Sequence, residues 1–366
     1  MKLRWKTRLR AHIDLPKAKR ILANQSVETD GMTGRPIVLD LRSDNLLIDC
    51  GRHLASLAIY AKQIDSPFVI RCPKPILAAI AHKPHSASIL SMPHSEWVDS
   101  SKPHRDIRDS LILRDYESVV SGHGDSWTLR ITRNPNPNSI VFPYPMHPKI
   151  YEFAQKQMLA ELSQSRPREG VFFGGNMDRR YGRRKICDEF GVTNRLDLLD
   201  HVRSIVGHSV ATFSRPSSKD SFIIQDSELN PIPRDLWLPT LARHRFFLCC
   251  PGVAQPVCHH LTEAMSVGTI PLLEYGNRLT PPLEDGVNAV CFDGPEGLKQ
   301  AIVRIRNFTP QHVDWLSTNA TRYFEKWLRG EQVLRRVRDE DDHRANRSVC
   351  LPFHSHDLET PRLRAA

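Results

Sequence analysis

Short apolar runs alternate with helical stripes through most of the chain. GRPIVLDL (34–41) is a continuous apolar run bounded by turn residues and predicts a buried strand. Behind it Leu54, Leu57, Ala58 and Ala61 recur at helical spacing over 52–64. SPFVIRC (66–72) predicts a second strand, KPILAAIAHK (74–83) a second short helix, and ASILSMPHSEWV continues the alternation. Strand–helix–strand units in series imply a mostly parallel sheet with helices on both faces.

The rhythm breaks in TRNPNPNSIVFPYPMHP (132–148), where Pro and Asn leave room for one short strand, SIVFPY. A domain boundary is expected near 143–150. KIYEFAQKQMLAELSQS (149–165) predicts an amphipathic helix, and VFFGG (171–175) opens a second unit. A basic turn and helix follow over 176–190. SFIIQDS, RFFLCC, TIPLLEY and NAVCFD read as strands. DLWLPTLARH, PVCHHLTEAMSVG, PEGLKQAIVRIRNF and PQHVDWLSTNATRYFEKWL read as helices. The expected layout is a basic arm (1–33), an N-terminal Rossmann-like domain (34–148), a C-terminal one (149–334) and a polar tail (335–366). RRVRDEDDHR and the mixed residues after it predict a loose tail.

A chain of 366 residues, 40% hydrophobic and 25% charged, can build two ordinary globular cores. It holds no run of about 18 apolar residues, so no membrane span is expected. MKLRWKTRLRAHI lacks the apolar stretch of a secretory signal. The eight scattered cysteines predict buried thiols of a reducing, cytoplasmic compartment rather than a disulfide framework. Net charge is +10, and residues 1–20 carry eight Lys/Arg against one Asp. That arm is expected to be solvated and partly disordered, and able to touch an anionic membrane peripherally. Nucleic acid is not the expected partner.

Residues 249–268, CCPGVAQPVCHHLTEAMSVG, crowd metal-binding residue types together. Their spacing argues against a metal. Cys249 and Cys250 would point to opposite faces of a strand, and Cys258, His259 and His260 would splay on a helix. The expectation is no metal and no cofactor. The same stretch reads as strand, loop, helix and strand. Pro251-Gly252 ends the strand, Pro256 suits a first helical turn, and Val257, Leu261, Ala264 and Met265 form one buried stripe. Such a loop lies at the carboxyl end of a strand, where open α/β sheets bind ligands, and helix-start amides attract phosphate. His259, Glu263 and Ser266 fall off the stripe. A carboxylate there either accepts hydrogen bonds from the paired hydroxyls of a ribose or is a solvated helix glutamate.

The run PGVAQPVCHHLTEAMSVGTIPLLEYGNRLTPPLEDGVNAVCF resembles the donor-binding half of glycosyltransferases of GT-B architecture, most of all the exostosin-like branch. The detailed likeness covers about 45 residues; the two-domain arrangement covers most of 35–330. The resemblance implies two Rossmann-like domains facing across a cleft and transfer of a sugar from a nucleotide-sugar to a carbohydrate or glycolipid acceptor, or to a protein. It implies that Glu263 binds the ribose and that Gly252 sits near the phosphates. Many retaining relatives carry a second glutamate where this chain has Gln255, so the stereochemical outcome stays open. VFFGGNMDRRYGRRK resembles the turn where Arg or Lys grips the diphosphate, making Arg179, Arg180, Arg183 and Arg184 candidates. Arg179 and Arg183 would share a helical face. The donor-like stretch, 171–293, carries no D-x-D motif, which fits metal-independent transfer.

A base for the acceptor hydroxyl is expected from the N-terminal half. Asp49 and His53 lie at a strand-to-helix turn beside Gly51, and His94 and Glu96 in another loop; His147 is a further option. The rival readings are an anionic-surface or nucleic-acid binding protein without transferase activity, and a pyridine-nucleotide oxidoreductase. The latter needs G-x-G-x-x-G after the first strand, and RSDNLLIDCG has a single glycine.

Overall fold

The computed structural model describes residues 5–101, 109–118, 126–132, 135–136, 139–207, 210–211, 218, 220–339, 347–352 and 362–363. The chain is mixed α/β and divides into two compact units, Met1–Pro148 with Arg329–Ala366, and Lys149–Leu328.

In the first unit, helix α1 (Trp5–Ala23) precedes β1 (Ile37–Asp40), α2 (Arg52–Gln63), β2 (Phe68–Cys72), α3 (Lys74–His82) and β3 (Ser95–Asp99). Strands β4 (Leu111–Arg114), β5 (Glu117–Ser118), β6 (Ser126–Thr132) and β7 (Ile140–Val141) follow. The second unit holds α4 (Lys156–Ser163), β8 (Val171–Gly175), α5 (Lys185–Phe190), α6 (Arg195–Val206), β9 (Val210–Ala211), β10 (Phe222–Asp226), α7 (Arg234–Ala242) and β11 (Phe246–Leu248). It ends with α8 (His259–Ser266), β12 (Ile270–Leu273), β13 (Val290–Cys291), α9 (Gly294–Arg306) and α10 (Pro310–Tyr323). The chain then returns to the first unit as α11 (Gly330–Asp339), β14 (Ser348–Pro352) and β15 (Arg362–Leu363).

The first sheet runs β3-β2-β1-β4-β6-β14-β7 and the second β13-β12-β11-β8-β10-β9. Every pairing in both is parallel. β5 and β15 form a separate two-stranded ladder. Parallel strands bury both faces, which is why IVLD and FFL are wholly buried runs rather than alternating ones. In each sheet the first strand of the unit lies centrally. In the first sheet the chain builds outward through β2 and β3, and in the second it goes to the edge strand β9 and fills in β10; each then crosses to the other side, so β1 lies between β2 and β4, and β8 between β10 and β11. Those two places are the topological switch points.

Four expectations change. Residues 5–23 of the basic arm form a helix, and α1 packs on α3, with Ala18 fully buried and Arg10 2.6 Å from His82 Nε2. The polar tail contributes a buried inner strand, β14, because Val349, Cys350 and Leu351 supply enough apolar surface to add to the sheet despite charged flanks. The helix expected over 149–165 is interrupted: a 3-10 turn at Pro148–Phe153 gives way to α4 through the extended backbone of Gln155. Over 176–190 the expected basic turn and helix both form, but Arg179–Gly182 is a 3-10 turn outside α5, which stops at the left-handed Gly191, so the helical face expected for Arg179 and Arg183 does not form.

α11 docks on α2 at a close contact. A Cβ on Gly330 would lie 2.1 Å from Cζ of Tyr60, a fully enclosed ring. Further along the helix, Arg338 donates to the Ile64 carbonyl at 2.9 Å and to Ser66 Oγ at 2.7 Å. Gly330→Val is therefore expected to lower stability by about 1–3 kcal/mol through overpacking, measured by urea denaturation; unchanged stability would show that this approach is not what seats α11.

Candidate functional site

At the switch point of the second sheet two neighbouring strands end side by side, one in glycines and the other in a glycine-bearing loop. β8 ends at Gly174-Gly175, where a Cβ on Gly174 would meet Phe172 at 2.7 Å and Trp237 at 3.0 Å. After β11 comes Pro251-Gly252, and a Cβ on Gly252 would lie 2.8 Å from the Gln255 carbonyl. The Gly252 amide donates to the Pro256 carbonyl at 3.3 Å, closing the loop. Pro256 thus sits in this loop rather than in a first helical turn. α8 begins later, at His259, with Cys258 as its extended N-cap. Cys249 and Cys250 lie beyond the end of β11, both buried.

The two strand ends are joined by Arg195, which sequence reasoning missed. It is the first residue of α6 and only 4% exposed. Its guanidinium donates to the Asn176 carbonyl at 2.8 Å and the Pro251 carbonyl at 3.0 Å, and stacks 3.8 Å from the Tyr181 ring centroid. A signal for it exists in the sequence: Asn194 caps α6 by accepting from the Asp197 amide at 3.0 Å, and an Asn–x–x–Asp pattern marks a helix start. Arg179, Arg180, Arg183 and Arg184 are all exposed; Arg180 stacks on Tyr181 and Arg184 lies 3.9 Å from Asp188. The 3-10 turn removes the helical face that Arg179 and Arg183 were expected to share.

Glu263 is neither solvated nor directly open to a ligand: it is 0% exposed. Trp237 Nε1 donates to its Oε2 at 2.7 Å, and His259 Nδ1 lies 3.0 Å from its Oε1. His259 and Glu263 are one turn apart on α8, so the carboxylate fixes the ring of a half-buried histidine at the helix start. Ser266 is buried as well, and its hydroxyl donates to the Glu263 carbonyl at 2.7 Å. The stripe Leu261, Ala264 and Met265 is fully buried as expected, with Val257 beside it. Gln255, at 3% exposure, is enclosed in the loop.

The spacing argument against a metal does not hold for all of these residues. The His259 and His260 rings meet edge-on with centroids 4.0 Å apart. One ligand-type atom each from His259, His260 and Glu263 lies within 4.8 Å of the others, because χ rotations bring together rings that adjacent Cα positions separate. The cysteines are a different matter. Burial pushes the thiols of Cys249, Cys250 and Cys258 up, so they remain protonated and apolar. All eight cysteines are free.

In the first unit, Asp49, Cys50 and Gly51 take consecutive positive φ values of 46°, 58° and 77°, a strained turn ahead of α2. Asp49 accepts from Tyr144 Oη at 2.6 Å and Arg52 Nε at 2.8 Å. Burial raises its carboxyl, but Arg52, the Tyr144 hydroxyl and His53 outweigh that and leave it lowered. His53 is 3% exposed and edge-on to Tyr144, and its Nε2 finds no partner among the described residues. Burial lowers it to about 4, against which Asp49 acts only in part. Glu96 lies on the edge strand β3, exposed, rather than in a loop. His94 is buried with Nε2 2.8 Å from the Ala58 carbonyl, a structural position. His147 packs edge-on against His85 at 4.8 Å.

His244, stacked on Phe172 at 4.7 Å, is also lowered to about 4 by burial. Both His53 and His244 titrate near 6.5 in the unfolded chain, so protonation favours unfolding. The stability they confer is fully present above about 6.5 and is lost as pH falls toward 4, on the order of 3 kcal/mol for each. His244→Gln is expected to flatten the loss of stability between pH 7 and pH 5, measured by chemical denaturation at each pH.

No helix among the described residues is long and apolar enough to cross a membrane. No protein-family model matches the sequence, and no curated protein matches it. Among solved structures the chain is similar to S. aureus TarM, a point variant in complex with fondaparinux, alpha-GlcNAc-glycerol and UDP, at 10% identity over 64% of this chain and a TM-score of 0.34. It spans 56% of the length of that protein. It is also similar to a point variant of Thermobaculum terrenum O-GlcNAc transferase, at 13% identity over 92% of this chain and 73% of that one, TM-score 0.39. A third likeness is to Anabaena HepE in complex with UDP, at 12% identity over 88% of this chain and 80% of that one, TM-score 0.30.

Proposed function

We propose that the protein is a GT-B glycosyltransferase that binds a nucleotide-sugar at the switch point of its second sheet. The observation that carries this reading is the meeting over Arg195 of the Gly174-Gly175 strand end with the Pro251-Gly252 loop, with the start of α8 beside them and His259 held by a buried carboxylate. Backbone amides, a helix start and a fixed guanidinium are the elements that accept a diphosphate. As the glycosidic bond breaks, charge grows on the diphosphate oxygens, and in this reading Arg195 stabilises that charge in place of a metal. This replaces the exposed Arg179 and Arg183 in that role.

Glu263 keeps its place in the reading but changes its work. Enclosed by Trp237 and His259, it orients His259, and the imidazole is the group that meets the nucleoside or the sugar. Gly252 gives the close backbone approach, and the Gln255 loop shapes it. In the first unit Asp49, 24% exposed at its side chain, is the candidate proton acceptor a substrate can reach, whereas His53 is enclosed and Glu96 sits on an edge strand. The acceptor is a carbohydrate, glycolipid or protein. The exostosin-like resemblance, a cytoplasmic location and a peripheral contact of residues 1–20 with anionic lipid belong to the same reading.

The test is a thermal-shift panel of UDP, GDP, ADP, CDP and inorganic pyrophosphate on the full chain and on His259→Ala. One nucleoside diphosphate is expected to raise the melting temperature well beyond the others, with affinity falling at least tenfold in the variant. Equal stabilisation by every polyanion, unchanged in the variant, would mean an anionic-surface binder and overturn the transferase reading.

A further inference from the structure

The first sheet has its own switch point, between β1 and β4, and its chemistry differs from that of the second. The register places Asp40 beside Arg71 on β2 and beside Arg114 on β4. In-register neighbours of parallel strands project to one face, so Arg71, Asp40 and Arg114 form a row across three central strands at their carboxyl ends. Two residues back on the same face lies the apolar row Val69, Val38 and Ile112.

Asp40 gathers the cations. Its Oδ2 accepts from Arg71 at 2.6 Å and from Tyr116 Oη at 2.8 Å, and its Oδ1 lies 3.3 Å from Arg42. Arg42 and Arg114 both approach the Tyr116 ring, at 5.7 and 6.0 Å from its centroid. Asp115, the other carboxylate here, is turned to the backbone: it accepts from the Arg42 amide, the Ser43 amide and the Ser43 hydroxyl. Two carboxylates therefore stand against three guanidiniums, and of the two only Asp40 pairs with them. A guanidinium has five N–H donors. Among the described residues Arg71 gives one nitrogen to Asp40, Arg114 one to Ser126 Oγ at 3.3 Å, and Arg42 one to its ion pair. The Nε of all three finds no acceptor among the described residues. The side chains of Arg42 and Arg71 each stay 20% exposed, so the row is reachable.

We propose that this switch point is an oxyanion-binding site, in which Arg42 and Arg71, gathered on Asp40 and backed by Arg114, take an acidic group of the carbohydrate acceptor. Carboxylate, sulfate and phosphate share the required chemistry, a planar or tetrahedral set of oxygens that two guanidiniums grip together. Open parallel sheets bind ligands at this place, and Arg42 lies two residues past the end of β1. The site itself rests on the first sheet alone. Naming its occupant an acceptor rests on the transferase reading, whose donor test uses the second sheet, so the two can fail separately.

The test is calorimetric titration of the full chain, Arg42→Gln, Arg71→Gln and the exposed control Arg179→Gln. The probes are a uronic-acid disaccharide, its sulfated form, a neutral disaccharide of equal size, and inorganic phosphate. The acidic disaccharides are expected to bind at least tenfold more tightly than the neutral one. That preference should fall tenfold or more in Arg42→Gln and Arg71→Gln, stay in Arg179→Gln, and weaken with added salt. Nucleoside diphosphate affinity should not change in any variant. Arg71→Gln removes the partner of a buried carboxylate; if it fails to fold, Arg42→Gln, whose ion pair is longer, decides alone. Equal binding of acidic and neutral disaccharides, or a preference that survives in folded Arg42→Gln, overturns the site. Phosphate binding that depends on Arg42 without any sugar-acid binding overturns the acceptor assignment.

Discussion

A carboxylate with no exposed surface must be hydrogen-bonded or neutralised, and the second unit is organised around one that is. Glu263 receives Trp237 from α7 on one oxygen and faces His259 of its own helix on the other. The first contact fixes α8 against α7. The second sets the ring at the start of α8, next to the loop that carries Pro251-Gly252. Removing either partner would leave a buried charge short of a donor, which is far costlier than losing a surface hydrogen bond. The local geometry of the proposed donor site follows from that requirement rather than from any residue on the surface.

Arg195 applies the same logic to a cation. A buried guanidinium cannot remain without acceptors, and two main-chain carbonyls, from the loops after β8 and β11, supply them. One side chain thereby ties together the two strand ends that define the switch point. The pairing of a held cation with glycine-bearing backbone is suited to a diphosphate, whose charge needs a donor set that does not reorganise during reaction. At the first sheet the charge is arranged differently. A single aspartate collects arginines from neighbouring strands, and the surplus is positive. The two switch points are alike in topology and unlike in chemistry, as expected if one takes a leaving group and the other an acidic acceptor.

Much of the fold was legible because parallel strands buried on both faces are continuous apolar runs. VFFGG, RFFLCC and TIPLLEY all carry that mark, and each contains a strand of the second sheet. β14 was not legible, since a five-residue strand in a charged segment owes its stability to the β6 and β7 edges it joins. α1 was hidden for a similar reason. Its stripe is weak and contains Pro16, and packing on α3 makes the helix. At the proposed donor site, turn and helix signals single out Gly252, His259 and Glu263 from sequence. Local charge density singles out Arg179 and Arg183 instead, whereas the isolated Arg195 is noticed only through its burial.

By itself the sequence determined the two α/β units, the strand–loop–helix stretch after RFFLCC and the residues that could carry chemistry there, since these depend on periodicity and local turn chemistry. Only the tertiary structure decided which charges are buried. The enclosure of Glu263 by Trp237 and His259, the bridging by Arg195 and the Arg71–Asp40–Arg114 row all join residues far apart in the chain. Burial and charge pairing are properties of neighbours in space, and spacing along the chain does not encode them.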